Sequence, residues 1–146
     1  MEFDRNGLEV LDRTECLRLL GTATLGRVAV TADALPVILP VNFLLADHHV
    51  VIRTGRGTKL DAATRNAVVA FEVDQIDPMY HTGWSVVVTG VARDLTEHQE
   101  LLHLSHLPAR WAPEKSSDGR LVAISLDLVS GRRIRTDVPA SVGGER

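Results

Sequence analysis

The sequence predicts a mainly β protein, a small antiparallel barrel with short helices packed around it. Three observations lead there. About six β-rich runs are separated by spacers of hairpin length, only short helix-like segments lie between them, and runs such as Val86-Val87-Val88 offer no polar face to water. A closed barrel removes open sheet edges. A strand apolar on both sides must cover the barrel core with one face and meet a helix or a second subunit with the other.

Taken in order, Asp12-Arg13-Thr14-Glu15 has the pattern of a capping box and opens a short helix through Leu20, with Cys16, Leu17 and Leu20 on one face and Gly21 as its stop. Strand patterns follow. Arg27-Val28-Ala29-Val30 and Val37-Ile38-Leu39 flank a turn near Ala32-Asp33-Ala34, and Val41 to Leu45 lead through Asp47-His48-His49 into Val50 to Arg53. A helical segment from Thr58 to Arg65 precedes the β-rich run Ala67 to Val73. The longer strand Gly83 to Leu95 carries β-branched residues at Val86, Val87, Val88, Thr89 and Val91. Thr96-Glu97-His98-Gln99 reads as a second capping box, opening a helix from Thr96 to Leu107 that Pro108 ends. A last strand, Leu121 to Leu128, precedes Gly131-Arg132-Arg133-Ile134-Arg135. Residues 1–138 form a single domain on this reading, and 139–146 have the small, polar composition of a disordered tail.

Composition bounds the function. A chain of 146 residues with 45% hydrophobic and 24% charged residues is long enough for a real core and has the make-up of a soluble globular domain. Its net charge of −3 argues against general nucleic-acid binding by bulk charge. The single cysteine, Cys16, excludes an intramolecular disulfide and fits a reducing cytoplasm; it reads as a core residue of the first helix rather than a nucleophile. No apolar run approaches the roughly 20 residues of a membrane span, and Met1-Glu2-Phe3-Asp4 is acidic rather than signal-like. A cytoplasmic protein with no membrane and no nucleic-acid partner is expected.

The segment richest in chemistry is Arg53-Thr54-Gly55-Arg56-Gly57-Thr58-Lys59, a basic, glycine-punctuated loop between an apolar run and a helix-prone one. Glycines let backbone N–H groups approach an anion, and cations and hydroxyls converge on the same place. From Arg53 to Arg65 four basic residues face one acidic residue, a local +3 in an acidic chain, which suits a small anionic ligand. A plain solvated turn has the same composition. The order matches neither the G-x-x-x-x-G-K-[ST] loop of nucleotide triphosphatases nor the G-x-G-x-x-G of dinucleotide folds.

His98, His103 and His106 invite a metal reading, since 103 and 106 share a helical face. No H-E-x-x-H occurs and no cysteine sits near, so a solvated face with Glu97, Gln99 and Glu100 explains them, and no metal is expected. His48-His49 reads as a polar hairpin turn. Tyr80 and His81 lie in a loop before Trp84 that either approaches a cleft or stays in solvent.

Together, Gly26-Arg27-Val28-Ala29-Val30, Pro40-Val41-Asn42-Phe43, the basic loop, Val69 to Asp74 and Gly83-Trp84-Ser85-Val86-Val87-Val88-Thr89-Gly90 resemble the pyridoxamine 5′-phosphate oxidase-like flavin-binding split-barrel proteins in order and spacing. The resemblance covers about residues 8 to 136. It implies a six-stranded split-barrel homodimer with flavin mononucleotide (FMN) in two symmetric clefts between subunits. Carried over position by position, Arg53, Thr58 and Lys59 would hold the phosphate, while Thr54 and the Gly55 backbone support the ribityl chain and ring edge. Pro40, Val41, Asn42 and Phe43 would run beside the isoalloxazine, and Trp84, Ser85 and Val86 would reach across from the other subunit. Each has a structural alternative: Phe43 as barrel packing, Asn42 as a strand-end partner, Trp84 as an interface anchor. Trp111 would either cap the substrate side of the cleft or cover the barrel.

The oxidase needs dedicated C-terminal arginine and histidine side chains for its substrate. Arg132, Arg133 and Arg135 occupy a broadly similar terminal strand without the oxidase pattern, so oxidation of vitamin B6 is not expected. What remains is an FMN-dependent oxidoreductase acting on another small organic substrate, a deazaflavin-dependent reductase of the same fold, or a non-catalytic flavin- or haem-binding stress protein.

Overall fold

A computed structural model describes residues 1–106 and 119–135. Nine strands form one continuous antiparallel sheet: β1 (Glu2–Phe3), β2 (Glu9–Leu11), β3 (Leu25–Ala32), β4 (Leu35–Ala46), β5 (His49–Thr54), β6 (Ala67–Asp77), β7 (Thr82–Asp94), β8 (Arg120–Ser125) and β9 (Leu128–Ile134). They run in the order β1-β2-β9-β7-β6-β3-β4-β5-β8, and β8 returns to pair with β7. The six strands β7, β6, β3, β4, β5 and β8 thus close into the expected barrel, and β9, β2 and β1 extend from it. The N-terminal strands β1 and β2 were not legible in the sequence pattern.

The inner residues follow the strand period. Val28, Val30, Phe43, Val50, Ile52, Val69, Phe71, Val73, Val86 and Val88 fill the barrel, with Phe43 and Phe71 edge to face at 4.8 Å between ring centroids. A smaller apolar cluster, Val51, Leu95, Leu101 and Ala123, lies outside β5 and β8.

Helix α1 (Arg13–Leu20) forms as its cap predicts, Asp12 accepting from the Glu15 amide at 2.9 Å. The box is not reciprocal, because the Glu15 carboxylate instead accepts from Arg18 and Arg133. The predicted strands at 37–39 and 41–45 are one strand, β4, running through Pro36 and Pro40. Both prolines lie before Phe43, the first β4 residue paired with β5, so on that side no ladder bond needs their missing N–H. The turns at Asp33-Ala34 and Asp47-His48 are two-residue hairpin connections with positive φ at all four residues, built without the glycine that usually announces them.

Two expectations need correction. The helix read from Thr96 to Leu107 is, as far as His106, two 3₁₀ segments, Leu95–Glu97 and Gln99–His106, interrupted at His98. The cap is Asp94, whose carboxylate accepts from the Thr96 amide at 2.7 Å, and Leu95 and Leu101 hold the segment against β5 and β8. Leu107, Pro108 and the 139–146 tail lie outside the described residues. The single strand read from Leu121 to Leu128 is broken at Leu126-Asp127, where the chain leaves β8 for β9.

That break is possible because β7 serves both strands, pairing with β9 from Gly83 to Thr89 and with β8 from Ala92 to Asp94. Between them lie Gly90 and Val91. The Val91 amide donates to Ser125 Oγ at 3.0 Å, and a β-carbon on Gly90 would overlap the Ser125 carbonyl oxygen. Gly90→Ala is therefore expected to lower unfolding free energy by roughly 3 kcal/mol, seen as a reduced urea midpoint; an unchanged midpoint would show that the corner relaxes freely.

Candidate functional site

The basic loop connects β5 to the short helix α2 (Lys59–Ala63), and its shape is set from beneath. Asp61 is buried and accepts from the Gly57 amide at 2.9 Å, Thr54 Oγ1 at 3.2 Å and Arg120 Nε at 2.5 Å. Arg120, equally buried, also donates to the Asp61 carbonyl at 2.6 Å, to Thr64 Oγ1 at 2.8 Å and to Asp94 Oδ2 at 3.4 Å. Gly57 has φ +77°, a left-handed conformation that a side chain would strain. Thr58 caps α2, its hydroxyl accepting from the Asp61 amide at 3.1 Å and donating to the Gly55 carbonyl at 2.7 Å.

These contacts redistribute the predicted roles. The Thr54 hydroxyl is buried on Asp61, the Thr58 hydroxyl is committed to the cap, and the Gly57 amide points inward rather than toward an anion. Gly55, Arg56 and Lys59 remain exposed, and Arg53 lies half-buried at the base of the loop. Phe43 pairs with Ile52 at the end of the β4–β5 ladder, beyond which Asn42 pairs with Leu25 of β3 and Arg53 with Leu121 of β8. Pro40 and Asn42 are exposed on this outer face, whereas Val41 and Phe43 carry their side chains into the core, so Phe43 offers a ligand only its backbone.

Trp84 and Ser85 are elsewhere. They lie at the start of β7, where its neighbours are β6 and β9, whereas the contacts beneath the loop reach only the end of β7 at Asp94. Trp84 lines a cleft of about 660 Å³ with Gln75, Ile76, Arg133, Ile134 and Arg135, and Val86 is a core residue. The terminal arginines have acidic partners: Arg132 with Asp4 at 2.9 Å, Arg133 with Glu15 at 2.8 Å, Arg135 with Glu9 at 3.3 Å. Arg18 and then Arg133 hold the Glu15 carboxyl down at about 2. His103 meets Asp47 at 2.6 Å and His98 meets Asn66 at 3.2 Å, and among the described residues no group of three or more His, Cys, Asp or Glu side chains is placed to hold a metal. Trp111 lies outside the described residues. Cys16 is buried, and burial pushes its thiol up.

Residues 12–133 match the family described as pyridoxamine 5′-phosphate oxidase. The chain belongs to that family. Within it, the chain is 40% identical over 132 residues to an uncharacterized protein of Mycobacterium tuberculosis, covering 87% of this chain and 86% of that one. Among solved structures it is similar to an FAD binding protein from Mycobacterium smegmatis, at 37% identity and a TM-score of 0.73 over 87% of this chain and all of the other. It is also similar to a FAD-binding protein from Mesorhizobium loti, at 26% identity and a TM-score of 0.68 over 88% of this chain and 99% of the other. These members share the fold across nearly their whole length.

Sequence reasoning missed Asp61, Asp94 and Arg120, which hold the loop from beneath. Nothing local marks them: Asp61 reads as one acidic residue in a basic stretch and Arg120 as a charge before a strand. Burial pushes both carboxyls up, but hydrogen bonds from Arg120 and the Gly57 amide to Asp61, and from Thr96 with Arg120 to Asp94, outweigh it and hold both below the usual range.

Arg120→Ala leaves the buried Asp94 carboxylate without its arginine and Asp61 with only the half-exposed Arg65 at 3.5 Å, and is expected to cost about 3–5 kcal/mol. The same network sets the acid limb of stability. Both carboxyls titrate below the ordinary 3.8 when folded, so the unfolded chain takes up protons first, and stability present above that value is lost as pH falls through and below it. Urea midpoints followed from about pH 6 to about pH 3 check this, and a flat profile would contradict it.

Proposed function

We propose that this chain binds a flavin through the loop at residues 53–59 and acts as an oxidoreductase on a small organic substrate. One observation carries the reading: the loop is pinned internally by Asp61 and Arg120 while Arg56 and Lys59 stay in solvent beside Arg53. A phosphate meeting cations carried on a backbone already held in place forfeits little main-chain ordering entropy, and each charge-assisted hydrogen bond contributes roughly 1.5–3 kcal/mol. The residues present fit the group. Lys59, Arg56 and Arg53 supply positive charge, while exposed Pro40 and Asn42 supply an apolar edge and an amide for a ring. Two of the similar solved structures are of FAD binding proteins, which supports a flavin.

A bound flavin supplies hydride transfer. The chain's own part is to orient and shield: the loop fixes the phosphate end, and the β4 face at Pro40 and Asn42 borders the ring. No side chain here is assigned a proton to move. FMN follows the resemblance, and a deazaflavin would use the same phosphate contacts. The visible spectrum of the purified protein, alone and after mixing with each cofactor, separates the readings; a colourless protein that binds neither would overturn both. With FMN, Lys59→Ala is expected to weaken binding about tenfold or more while leaving riboflavin, which lacks the phosphate, within about twofold. Equal losses in a fluorescence titration would remove the loop as the phosphate site.

A homodimer is part of the proposal. Ile38, Ala29, Ala70, Thr89 and Leu128 pair in succession across β4, β3, β6, β7 and β9, forming an outward row with Ile38 67% and Leu128 68% exposed. A row of this kind is expected to be covered by a second copy. A twofold arrangement would bring Trp84 and Ser85 of one subunit toward the loop of the other, which a single chain does not achieve. Sedimentation at low micromolar concentration should give the dimer mass, and Ile38→Asp should shift it toward monomer; a monomeric wild type that still binds flavin tightly would refute the shared cleft.

A further inference from the structure

The sheet face assigned to the dimer carries one cluster whose charges do not balance. Arg27 and Glu72 pair directly across β3 and β6, and Arg27 Nη1 donates to Glu72 Oε1 at 3.0 Å and to Asp74 Oδ2 at 2.7 Å. Strand alternation sends all three outward, since Val28, Phe71 and Val73 beside them fill the barrel. Apolar rows flank the cluster. On one side runs the row from Ile38 through Ala29 and Ala70 to Leu128, and on the other Ile76, Gly83 and Ile134 pair across β6, β7 and β9. Glu72 lies two residues from Ala70, about 7 Å along the strand, so a second copy seated on the first row abuts it.

One guanidinium serves two carboxylates. With every group ionised each subunit holds a surplus negative charge here, and among the described residues no other cation lies within ion-pair reach of Glu72 or Asp74. The strands packed on either side add none. Val87 and Ser85 of β7 stand opposite Glu72 and Asp74, and Pro40 of β4 stands opposite Arg27. Beyond Ser85 comes Arg132 of β9, which is paired with Asp4 at 2.9 Å. Asp77 and His81 belong to the far end of the β6–β7 hairpin, three or more residues from Asp74.

In the single chain water screens the surplus, because Glu72 and Asp74 keep 29% and 23% of their side-chain surface exposed. A second copy removes that water. An ionised carboxylate without a counter-charge of its own is then unfavourable, whereas a carboxyl and a carboxylate sharing one proton beside one arginine carry no net charge and bond to each other. Burial and then Asp74 already push the Glu72 carboxyl up against the pull of Arg27. Resting on the homodimer reading, we propose that closing the second copy over this face is coupled to uptake of one solvent proton by the Glu72–Asp74 pair of each subunit, so that the dimer tightens as pH falls. The sign follows from linkage: the covered pair holds its proton more tightly than the free one, so association is strongest below the free pair's titration and weakens as pH rises through that of the covered pair. The cleft shared between subunits would follow, since Pro40, which borders the proposed ring, is the direct partner of Arg27.

Sedimentation of the purified full chain from about pH 8 to about pH 5 gives the dimer dissociation constant at each pH. Asp61 and Asp94 titrate below this range, so the fold is held constant. Expected is a tightening of about tenfold or more toward the acid end, one proton per subunit allowing up to about a hundredfold per pH unit. Glu72→Gln, which keeps the shape and hydrogen bonding of the protonated carboxyl, should give the tight constant throughout, and Asp74→Asn should flatten the profile in the same way; urea midpoints near that of the wild type show that both fold. Without altering the pair, the Glu72 carboxyl carbon signal in NMR should titrate at higher pH in the wild-type dimer than in Ile38→Asp. A wild-type constant that does not move with pH, an undiminished slope in both pair variants, as histidine titration would give, or equal Glu72 titration in wild type and Ile38→Asp would each overturn the coupling and leave the dimer standing. A monomer at every pH removes the dimer reading and the coupling with it.

Discussion

The buried ion pair between Arg120 and Asp61 is the constraint around which the ligand-facing part of this protein is arranged. It joins the first residue of β8 to the middle of α2, and through Asp94 it reaches the last residue of β7. Burying a guanidinium and two carboxylates is unfavourable unless their hydrogen bonds are satisfied, and here Thr54, Thr64, Thr96, the Gly57 amide and the Asp61 carbonyl satisfy them. Meeting those demands leaves the loop little freedom. Gly57 must turn with positive φ to aim its amide inward, and α2 must start at Lys59 under the Thr58 cap. The exposed cations are thus presented from a backbone whose internal bonds are already made.

The second organising feature is the double use of β7. Its end closes the barrel against β8 and its beginning holds β9, so the last two strands diverge at Leu126-Asp127. Gly90 and Ser125 sit at the divergence, where contact is too close for a β-carbon. The divergence also separates the chemistry. The loop cations lie on the β5 side, whereas Trp84 and the Arg133–Arg135 cleft lie on the β9 side, and the terminal arginines are neutralised by Asp4, Glu9 and Glu15. Those pairs tie β9 to the N-terminal segment and α1, giving the arginines a structural role.

The outer face of the sheet mixes two kinds of surface. A small, apolar row crosses five strands, and beside it Arg27 bridges Glu72 at 3.0 Å and Asp74 at 2.7 Å. Burial and the neighbouring Asp74 push the Glu72 carboxyl up despite the arginine. Arg27 and Glu72 are direct cross-strand partners, so the pair marks the β3–β6 register. A one-residue slip would put Arg27 and Glu72 on opposite faces and turn either Val28 or Phe71 outward.

Much of the strand content and the barrel class were readable in the chain, because strand period and hairpin-length spacers are local signals: Val50 to Arg53, Ala67 to Val73 and Gly83 to Asp94 needed only alternation and β-branching. The basic loop was readable for the same reason, its glycines and cations being adjacent in sequence. What the chain alone could not reveal depends on contacts between distant residues. Arg120 and Asp61 are 59 positions apart, and only closure of β8 beside β5 makes them partners. The 3₁₀ segments within 95–106 occur where Leu95 and Leu101 pack on β5 and β8, one strand before them in the chain and one after, against a helical pattern of their own. Whether Thr54 faces a ligand or the interior, and that Trp84 stands apart from the loop, were decided by the tertiary fold. Local pattern sets which segments are strands, while burial and long-range pairing set which side each functional group faces.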